Sequence, residues 1–206
     1  VNHHLAHACS AFYSSGMEES AILVVDGHGT LAKGSALNPK SIHSAFETQS
    51  LFIGEKGSIT CLESSTSTGI GMMYQAFTNF LGFGHLQEGK TMGLAPYGTP
   101  KYRDIILSNL IDLKEDGSFR LNLEYFDYCT GLRMTNNKFN KLFDSPPRSP
   151  GSPVTQREMD LAASIQSVTE EIILRMSRSI AKDTGLSKLC LAGGVALNCV
   201  ANGKIL

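Results

Sequence analysis

Apolar positions follow two different periods along the chain, and these periods predict a mixture of helices and strands. Residues 3–15 carry apolar side chains at roughly helical spacing and end in Ser14-Ser15-Gly16, so we expect one helix there. Residues 21–26 form an apolar run that ends at Asp-Gly, which is typical of a buried strand leading into a turn. Residues 31–37 and 45–61 alternate in polarity and predict two further strands of a meander. This part of the chain therefore predicts an α/β fold.

The middle of the chain is predicted to alternate helices with shorter elements. A hydroxyl-rich loop at 64–68 leads into an amphipathic helix, whose methionines and aromatic residues at 72–81 are most simply core. Residues 101–114 predict a short helix, and residues 118–123 predict a strand. These elements supply scaffold and no obvious chemistry.

The longest periodic stretch lies near the carboxyl end. Four prolines with serines and a glycine make residues 144–153 an irregular exposed loop. Thr155 and Glu158 then form a capping-box signature, and a sustained helical stripe of apolar residues ends at Gly185. We expect one long scaffold helix over this stretch.

Residues 88–98 read EGKTMGLAPYG and combine three glycines, a proline, an acid and a lysine. This density of helix-breaking residues predicts a loop. Lys90 is a candidate for balancing phosphate charge, with Glu88 positioning it. A solvent-exposed ion pair between the two side chains is the alternative.

Three of the six histidines fall within the first seven residues. His3 and His7 are four residues apart, so a helix places both imidazoles on one face, where they could bind the same metal ion. Asp26, at the end of the buried run, is the natural third ligand, and two imidazoles with a carboxylate suit zinc or ferrous iron. His4 points about 100° away from His3 on a helix, which indicates a supporting or substrate-facing group. An ordinary surface or core pair of histidines is the alternative interpretation.

Two glycine turns each follow an apolar strand. Gly27 and Gly29 allow backbone amides to approach an anion, although Asp-Gly is also a common hairpin turn. Residues 188–198 predict a strand, then Gly193-Gly194, then a helix N-terminus, where phosphate binds well. The segment has neither the lysine of a P-loop nor the glycine spacing of a dinucleotide fold. Two such turns can bind one nucleotide from opposite sides.

Composition narrows the class of protein. The chain has 206 residues, 42% of them hydrophobic, and a formal net charge of -1, which is ordinary for a soluble globular protein and gives no reason to expect a nucleic-acid partner. The five cysteines lack C-x-x-C spacing, so reduced thiols in the cytoplasm are expected. No apolar run reaches membrane-spanning length. Because the chain starts at the histidine motif without methionine, we expect a piece of a longer protein.

Four motifs together resemble one family. They are HHLAHA at 3–8, VVDGHG at 24–29, EGKTMGLAPYG at 88–98 and LAGGVALNCVANGKIL at 191–206. In this order they resemble the carbamoyltransferase family of nodulation protein U and antibiotic-modifying O-carbamoyltransferases. The resemblance covers nearly the whole chain. It implies an actin-like ATPase fold of the sugar kinase and Hsp70 type, in the variant similar to tRNA threonylcarbamoyl transferases. Residues 1–206 would then be part of that domain, lacking its N-terminal strands and a C-terminal YrdC-like domain.

The resemblance also implies a set of site residues. A divalent metal, iron(II) in preference to zinc, would be held by His3, His7 and Asp26, with a further aspartate expected beyond the end of the chain. The family's nucleotide contacts correspond to residues of the two glycine turns, which are Gly27, Gly29, Gly193, Gly194 and Asn198. Lys90 joins this predicted set because its charge could balance that of the phosphates.

The reaction implied is transfer of a carbamoyl group from carbamoyl phosphate to a hydroxyl of a sugar or other small molecule. It would use ATP and Mg²⁺ and pass through a carbamoyl-adenylate. Because an imidazole titrates near neutral pH, our own hypothesis is that His4 or His28 accepts the proton of the attacking hydroxyl. We expect the fragment alone to be inactive, and a homodimer stays open. Three alternatives are a tRNA threonylcarbamoyl transferase, a plain ATPase or kinase of this fold, and a nucleotide- or metal-binding module without turnover.

Overall fold

A mixed β-sheet forms the centre of the protein in the computed structural model, which describes residues 1–30, 46–66, 69–128 and 131–205. The strands are β1 (Glu19–Val25), β2 (Gln49–Glu55), β3 (Ser58–Ser65), β4 (Ile111–Leu113), β5 (Phe119–Leu121) and β6 (Leu189–Ala192). The central sheet has the order β3-β2-β1-β6, in which β1, β2 and β3 are antiparallel and β6 runs parallel to β1. Strands β4 and β5 form a separate hairpin.

Helices cover both faces of this sheet. They are α1 (His3–Ser15), α2 (Ile70–Phe80), α3 (Glu88–Leu94), α4 (Arg103–Asn109), α5 (Asn137–Leu142), α6 (Gln156–Thr184) and α7 (Cys199–Asn202). Short 3-10 turns lie at Ala95–Tyr97, Leu123–Tyr125 and Gly194–Leu197. Among the described residues, no helix is both long enough and apolar enough to span a bilayer.

Strand β1 is apolar throughout because each of its faces packs against a different helical layer. Ile22 and Val24 belong to a small core under α1 that includes Phe12. Leu23 and Val25 face the opposite way and join the large core formed by α2 and α6. A strand buried on both faces loses the polar alternation of a surface strand. The helix–sheet–helix layering confirms the α/β class predicted from the sequence.

Helix α6 contributes the longest buried stripe to the larger core. Its first and last residues agree with the long helix predicted between Thr155 and Gly185. The Thr155 amide donates to Glu158 Oε2 over 2.9 Å, which completes the capping box, and Gly185 ends the helix in the left-handed conformation at φ 70°. Its buried stripe includes Leu161, Ile165 and Ile172. The helix therefore spans the protein beneath the sheet.

The segment that follows α3 is fastened to the start of α6 by one buried acid. Asp160 is only 2% exposed and accepts hydrogen bonds from the Thr99 amide and from Gln156 Nε2, each over 2.9 Å. Lys101 Nζ lies 2.6 Å from its other oxygen. Burial by itself would raise the pKa of Asp160, but the bonds from Lys101, Thr99 and Gln156 outweigh burial and lower that pKa to about 2.

Two predicted elements differ from the structure in the first half of the chain. The strand predicted over 45–61 is two strands, because Lys56 and Gly57 both adopt positive φ and turn β2 into β3. The short helix predicted over 101–114 ends at Asn109, and the chain continues directly into β4. The strand predicted at 31–37 lies outside the described residues.

The loop predicted over residues 88–98 is wrong, since α3 and a 3-10 turn occupy it. Thr91 is fully buried and its hydroxyl pairs with that of Thr78 over 2.9 Å, which anchors α3 on α2. Pro96 sits in the first turn of the 3-10 helix, where its missing amide proton costs nothing. Tertiary contact therefore outweighs the low helix propensity of the glycines.

Candidate metal centre and adjoining cavity

Two hydrogen bonds fix the start of α1, where the histidine motif lies: one with the helix N-cap and one with a residue distant in the sequence. The Asn2 side chain accepts a hydrogen bond from the Leu5 amide over 2.8 Å, so Asn2 is the N-cap. The His3 amide donates to the Thr30 hydroxyl over 2.7 Å. This bond links the start of α1 to the turn after β1 and brings the two motifs together.

His3, His7 and Asp26 converge on one point. His3 Nε2 lies 2.9 Å from Asp26 Oδ2, and His7 Nε2 lies 3.2 Å from the same oxygen. The two imidazole nitrogens are 3.1 Å apart. The side chains are 48%, 35% and 17% exposed respectively, so the cluster is open to solvent on one side. The three residues can offer one donor atom each to a single cation.

The two oxygens of Asp26 have different surroundings. Oδ2 faces the histidines, whereas Oδ1 accepts the Gly27 amide over 2.7 Å and lies 3.4 Å from the Gly194 amide. Burial opposes ionisation, but the bonds from His3, Gly27 and Gly194 outweigh it and hold the pKa of Asp26 below its usual range. Asp26 is therefore a fixed, ionised carboxylate at neutral pH.

His4 does not face the cluster or the solvent. It is 0% exposed, and its Nδ1 pairs with Ser50 Oγ over 2.7 Å. Burial lowers the pKa of His4 despite the opposing charges of Glu47 and Asp26. A group that accepts a proton from a substrate hydroxyl must reach that hydroxyl. The interior position of His4 therefore favours the supporting role over that of proton acceptor.

Gly29 has a packing reason for being glycine. A Cβ atom at this position would lie 2.6 Å from His4 Nε2 and 2.8 Å from the Glu47 carbonyl oxygen. The Gly29 amide donates to that carbonyl over 2.7 Å. The amide is thus already used within the protein, and Gly29 is not among the residues that line the neighbouring cavity.

The second glycine turn approaches the same centre from β6. Gly193 has a φ of 92°, and a Cβ atom there would lie 2.3 Å from the Val25 carbonyl oxygen, so the position admits only glycine. The turn places the Gly194 amide beside Asp26. The chain then forms a 3-10 turn before α7, so the helix predicted directly after the glycines starts later than expected.

A cavity of about 590 Å³ lies between the two turns and opens beside Asp26. Gly27 and His28 line one side of it, and Gly194 and Asn198 line the other. Most of its remaining wall is supplied by α2, α3 and the segment between them: Ile70, Gly71, Tyr74, Gln75, His85, Leu86, Glu88, Gly89 and Met92. The cavity therefore adjoins both glycine-containing turns and reaches the His3–His7–Asp26 cluster at Asp26.

Two of the expected nucleotide residues have other partners. The Lys90 ammonium lies 5.9 Å from the Phe83 ring centroid and is not among the cavity-lining residues. The Asn198 side chain exchanges two hydrogen bonds with Gln166, over 2.9 and 3.0 Å, and accepts one from the Ala201 amide. Asn198 therefore caps α7 and shapes the cavity floor with an amide that is already paired.

The cavity wall formed by α3 and the segment before it carries polar side chains, of which the sequence analysis singled out only Glu88. Glu88 is half-buried, and among the described residues its carboxylate has no hydrogen-bond or ion-pair partner. His85 Nδ1 pairs with Gln75 Nε2 at the same wall. The acid at the start of EGK was the signal for Glu88, whereas nothing in the sequence joined His85 to Gln75. A ligand in the cavity would meet one carboxylate and one imidazole there.

His28 is exposed at the mouth of the cavity, two residues after Asp26 in the chain. It lines the opening, and its ring makes an edge contact with Phe46 at a centroid distance of 5.7 Å. Another cavity of about 400 Å³ lies beside Asn79 and Asn136, at the far end of α2, and contains none of the expected site residues. The cavity beside Asp26 therefore contains predicted site residues that this second cavity lacks.

Comparison with known proteins gives several relatives along the whole chain. Uncharacterized protein sll1178 of Synechocystis sp. is 52% identical over 206 residues, which cover 99% of this chain and 31% of that protein. Nodulation protein NolNO of Sinorhizobium fredii is 37% identical over 206 residues, covering 100% of this chain and 27% of that protein. Nodulation protein NolO of Bradyrhizobium diazoefficiens is 35% identical over 208 residues, with 100% and 33% coverage. The chain thus spans about a third of the length of these curated relatives.

A family model assigns the chain to a family. The model described as Carbamoyltransferase N-terminus matches residues 1–206. Since this match takes in the whole chain, the chain belongs to the carbamoyltransferase N-terminus family.

Proposed function

We propose that the protein supplies the metal- and nucleotide-binding part of an ATP-dependent O-carbamoyltransferase. The observation that carries the proposal is the convergence of His3, His7 and Asp26 at the mouth of a cavity bounded by two glycine turns. Family membership supports carbamoyl transfer as the reaction class. The relatives' greater length leaves room for the additional strands and the YrdC-like domain that the resemblance implies.

The sheet supports an actin-like ATPase fold for this part of the protein. An antiparallel meander, β3-β2-β1, is extended by the parallel strand β6, and both β1 and β6 end at the candidate site. In open α/β sheets, ligands bind beyond the carboxyl ends of the strands. This geometry supports nucleotide binding in the cavity beyond Val25 and Ala192.

The triad fits a divalent metal ion in both distance and charge. Metal bonds of about 2.1 Å to imidazole and carboxylate place neighbouring donor atoms about 3 Å apart. The donor atoms of His3, His7 and Asp26 are separated by 2.9, 3.1 and 3.2 Å. Asp26 is ionised and held in place by two backbone amides. Iron(II) or zinc held there would supply a Lewis acid beside the cavity.

The side chains around the cavity have separate roles in this proposal. The apolar wall, which includes Ile70, Met92 and Val195, receives the base of ATP, and the unpaired Glu88 carboxylate accepts hydrogen bonds from ribose hydroxyls. The Gly27 amide orients Asp26 and leaves phosphate contacts to other groups. His28, at the exposed mouth, accepts the proton of the attacking hydroxyl.

The transfer step itself is an acyl substitution. The oxygen of the acceptor hydroxyl forms a bond to the carbamoyl carbon of a carbamoyl-adenylate, and the bond from that carbon to the phosphate oxygen of AMP breaks. The hydroxyl proton goes to His28, and AMP leaves with the bonding pair. The acceptor is a small molecule in this proposal, since the chain's net charge of -1 offers no general attraction for tRNA.

Carbamoyl transfer is tested on a form of the protein extended to the length of its relatives. The protein is incubated with ATP, carbamoyl phosphate and a panel of sugars, and AMP release and labelled carbamate esters are measured. We expect AMP release that depends on carbamoyl phosphate and is lost in the His3→Ala variant. ATP hydrolysis without carbamoyl phosphate would indicate a plain ATPase or kinase, and transfer to tRNA alone would indicate the threonylcarbamoyl transferase alternative.

A binding experiment on residues 1–206 tests whether the site binds its ligands without catalysing carbamoyl transfer. ATP and a divalent metal are titrated into the chain, and carbamate formation is measured in parallel. We expect binding of both with no turnover. Carbamate formation by residues 1–206 would contradict the expectation that the fragment is inactive alone.

A further inference from the structure

We infer that a chain of hydrogen-bonded polar side chains behind α1, which runs from the buried His4 and Ser50 to the exposed Ser64, positions the two proposed metal-binding histidines. This inference rests on the proposed metal centre and extends it to residues that do not contact the metal. The residues are His4, Ser50, Ser64, Glu47 and Asn2. They act through His3 and His7 and are positioning residues.

Their contacts form a continuous path that starts and ends at the N-terminus of α1. His4 Nδ1 lies 2.7 Å from Ser50 Oγ, and the Ser50 hydroxyl donates to Ser64 Oγ over 3.1 Å. The Ser64 hydroxyl lies 3.4 Å from Glu47 Oε1. Asn2 Nδ2 donates to the other oxygen, Glu47 Oε2, over 2.7 Å. The start of α1 is therefore attached at two points, by His4 to Ser50 of β2 and by its N-cap Asn2 to Glu47 just before β2.

The direction of the hydrogen bonds is consistent along the whole path. Because the Ser50 hydroxyl donates its proton to Ser64, Ser50 accepts from His4, whose Nδ1 therefore carries the proton. Each hydroxyl then donates toward the next residue, and the path ends on the Glu47 carboxylate. A path that ends on an acceptor-only group satisfies each hydroxyl on the way.

Attachment at His4 fixes the rotation of α1 about its own axis. His4 follows His3 directly and points about 100° away from it, so a bond to the sheet on one side sets the direction of His3 and His7 on the other. His4 is also 0% exposed and closely approached by Gly29. Loss of the Ser50 bond would remove the side-chain contact to the sheet nearest the two histidines and loosen this rotation, while the packing of Phe12 would keep α1 on the sheet.

The same short segment of chain also holds the third metal ligand. The Thr48 carbonyl accepts the amide of Asp26 over 2.9 Å, and the Glu47 carbonyl accepts the amide of Gly29 over 2.7 Å. Residues 47–50 therefore hold the helix that carries the histidines and the turn that carries the carboxylate. A shared support keeps the three donor atoms at metal-binding separation.

The test compares Ser50→Ala with Ser20→Ala. Both serines are buried strand residues of one sheet, but the Ser20 hydroxyl pairs with Cys190 Sγ at 3.4 Å, outside the path. Co²⁺ is titrated into each protein, and the affinity, the visible absorption of the bound ion and the thermal midpoint are recorded. We expect Ser50→Ala to bind Co²⁺ about tenfold more weakly and with an altered spectrum, and Ser20→Ala to match the unaltered protein.

Two substitutions of His4 provide a rescue experiment. In His4→Asn, the amide takes the position of Nδ1 and keeps a donor for Ser50, whereas His4→Leu fills space without one. We expect Co²⁺ affinity to recover in His4→Asn relative to His4→Leu, with both proteins folded by circular dichroism.

The outcomes distinguish this inference from the proposed function. Loss of Co²⁺ binding in His3→Ala with unchanged binding in Ser50→Ala and His4→Leu would keep the metal centre and overturn the positioning role. No Co²⁺ binding by the unaltered protein would overturn the metal centre and the inference with it. A matched loss in Ser50→Ala and Ser20→Ala would also overturn the inference, because it would reflect general destabilisation of the sheet.

Discussion

Replacing Gly29 by alanine tests how closely the turn after β1, which carries Asp26, is packed against α1. The new Cβ would lie 2.6 Å from His4 Nε2 and 2.8 Å from the Glu47 carbonyl oxygen. Neither neighbour can move freely, because His4 is fully buried and the carbonyl already accepts the Gly29 amide. Overpacking of this kind costs about 1–3 kcal/mol. We expect Gly29→Ala to lose that amount of unfolding free energy.

Gly27 provides the matched control for this substitution. A Cβ atom at Gly27 would meet nothing within 4 Å, and both substitutions reduce the entropy of the unfolded chain alike. The difference between the two variants therefore isolates the clash at Gly29. Urea unfolding followed by circular dichroism gives both free energies, provided that the slope with denaturant is unchanged. Equal stabilities of Gly27→Ala and Gly29→Ala would refute the packing argument.

Three further predictions concern stability and ligand binding. Asp160→Asn should lower the free energy of unfolding by about 1–2 kcal/mol at pH 7, since a neutral amide cannot form an ion pair with Lys101. Because the pKa of Asp160 is lowered to about 2 in the folded protein, this loss should shrink as the pH falls below about 4. An equal difference between the two proteins in urea unfolding at pH 7 and at pH 3 would contradict this prediction. Glu88→Gln should weaken ATP binding about tenfold, as measured by calorimetry, whereas Lys90→Ala should leave the affinity unchanged. Weaker binding in Lys90→Ala with unchanged binding in Glu88→Gln would indicate that Lys90, and not Glu88, contacts the nucleotide. Addition of a chelator to metal-loaded protein should lower the thermal midpoint and have no effect on His7→Ala, whereas an equal shift in both would place the metal elsewhere.

Local patterns predicted the parts of the site that depend on spacing along one element. His3 and His7 share a helix face because of a four-residue interval, and Asp26 follows a strand that is recognisable from its apolar run. The long helix α6 was predicted at both ends, because the capping box and Gly185 are short-range signals. Such features need no knowledge of what lies across the fold.

Other parts depend on contacts between distant segments and were not predictable in the same way. The burial of His4 follows from β2 lying under α1, a contact between residues 46 positions apart. Helix α3 forms across a glycine-rich segment because Thr91 bonds to Thr78 in the core. Lys90 was placed at the nucleotide from its charge alone, but the direction of its side chain depends on Phe83. Residue type indicated the chemistry, while packing decided which groups reach the cavity.

The metal content of the purified protein tests the proposed centre. Iron and zinc are measured by elemental analysis in the unaltered protein and in the His3→Ala and His7→Ala variants, with Ser20→Ala as a folded control. We predict close to one equivalent of metal in the unaltered protein and in Ser20→Ala, and almost none in either histidine variant. Equal metal in all four proteins, or none in the unaltered protein, would contradict a metal centre at His3, His7 and Asp26.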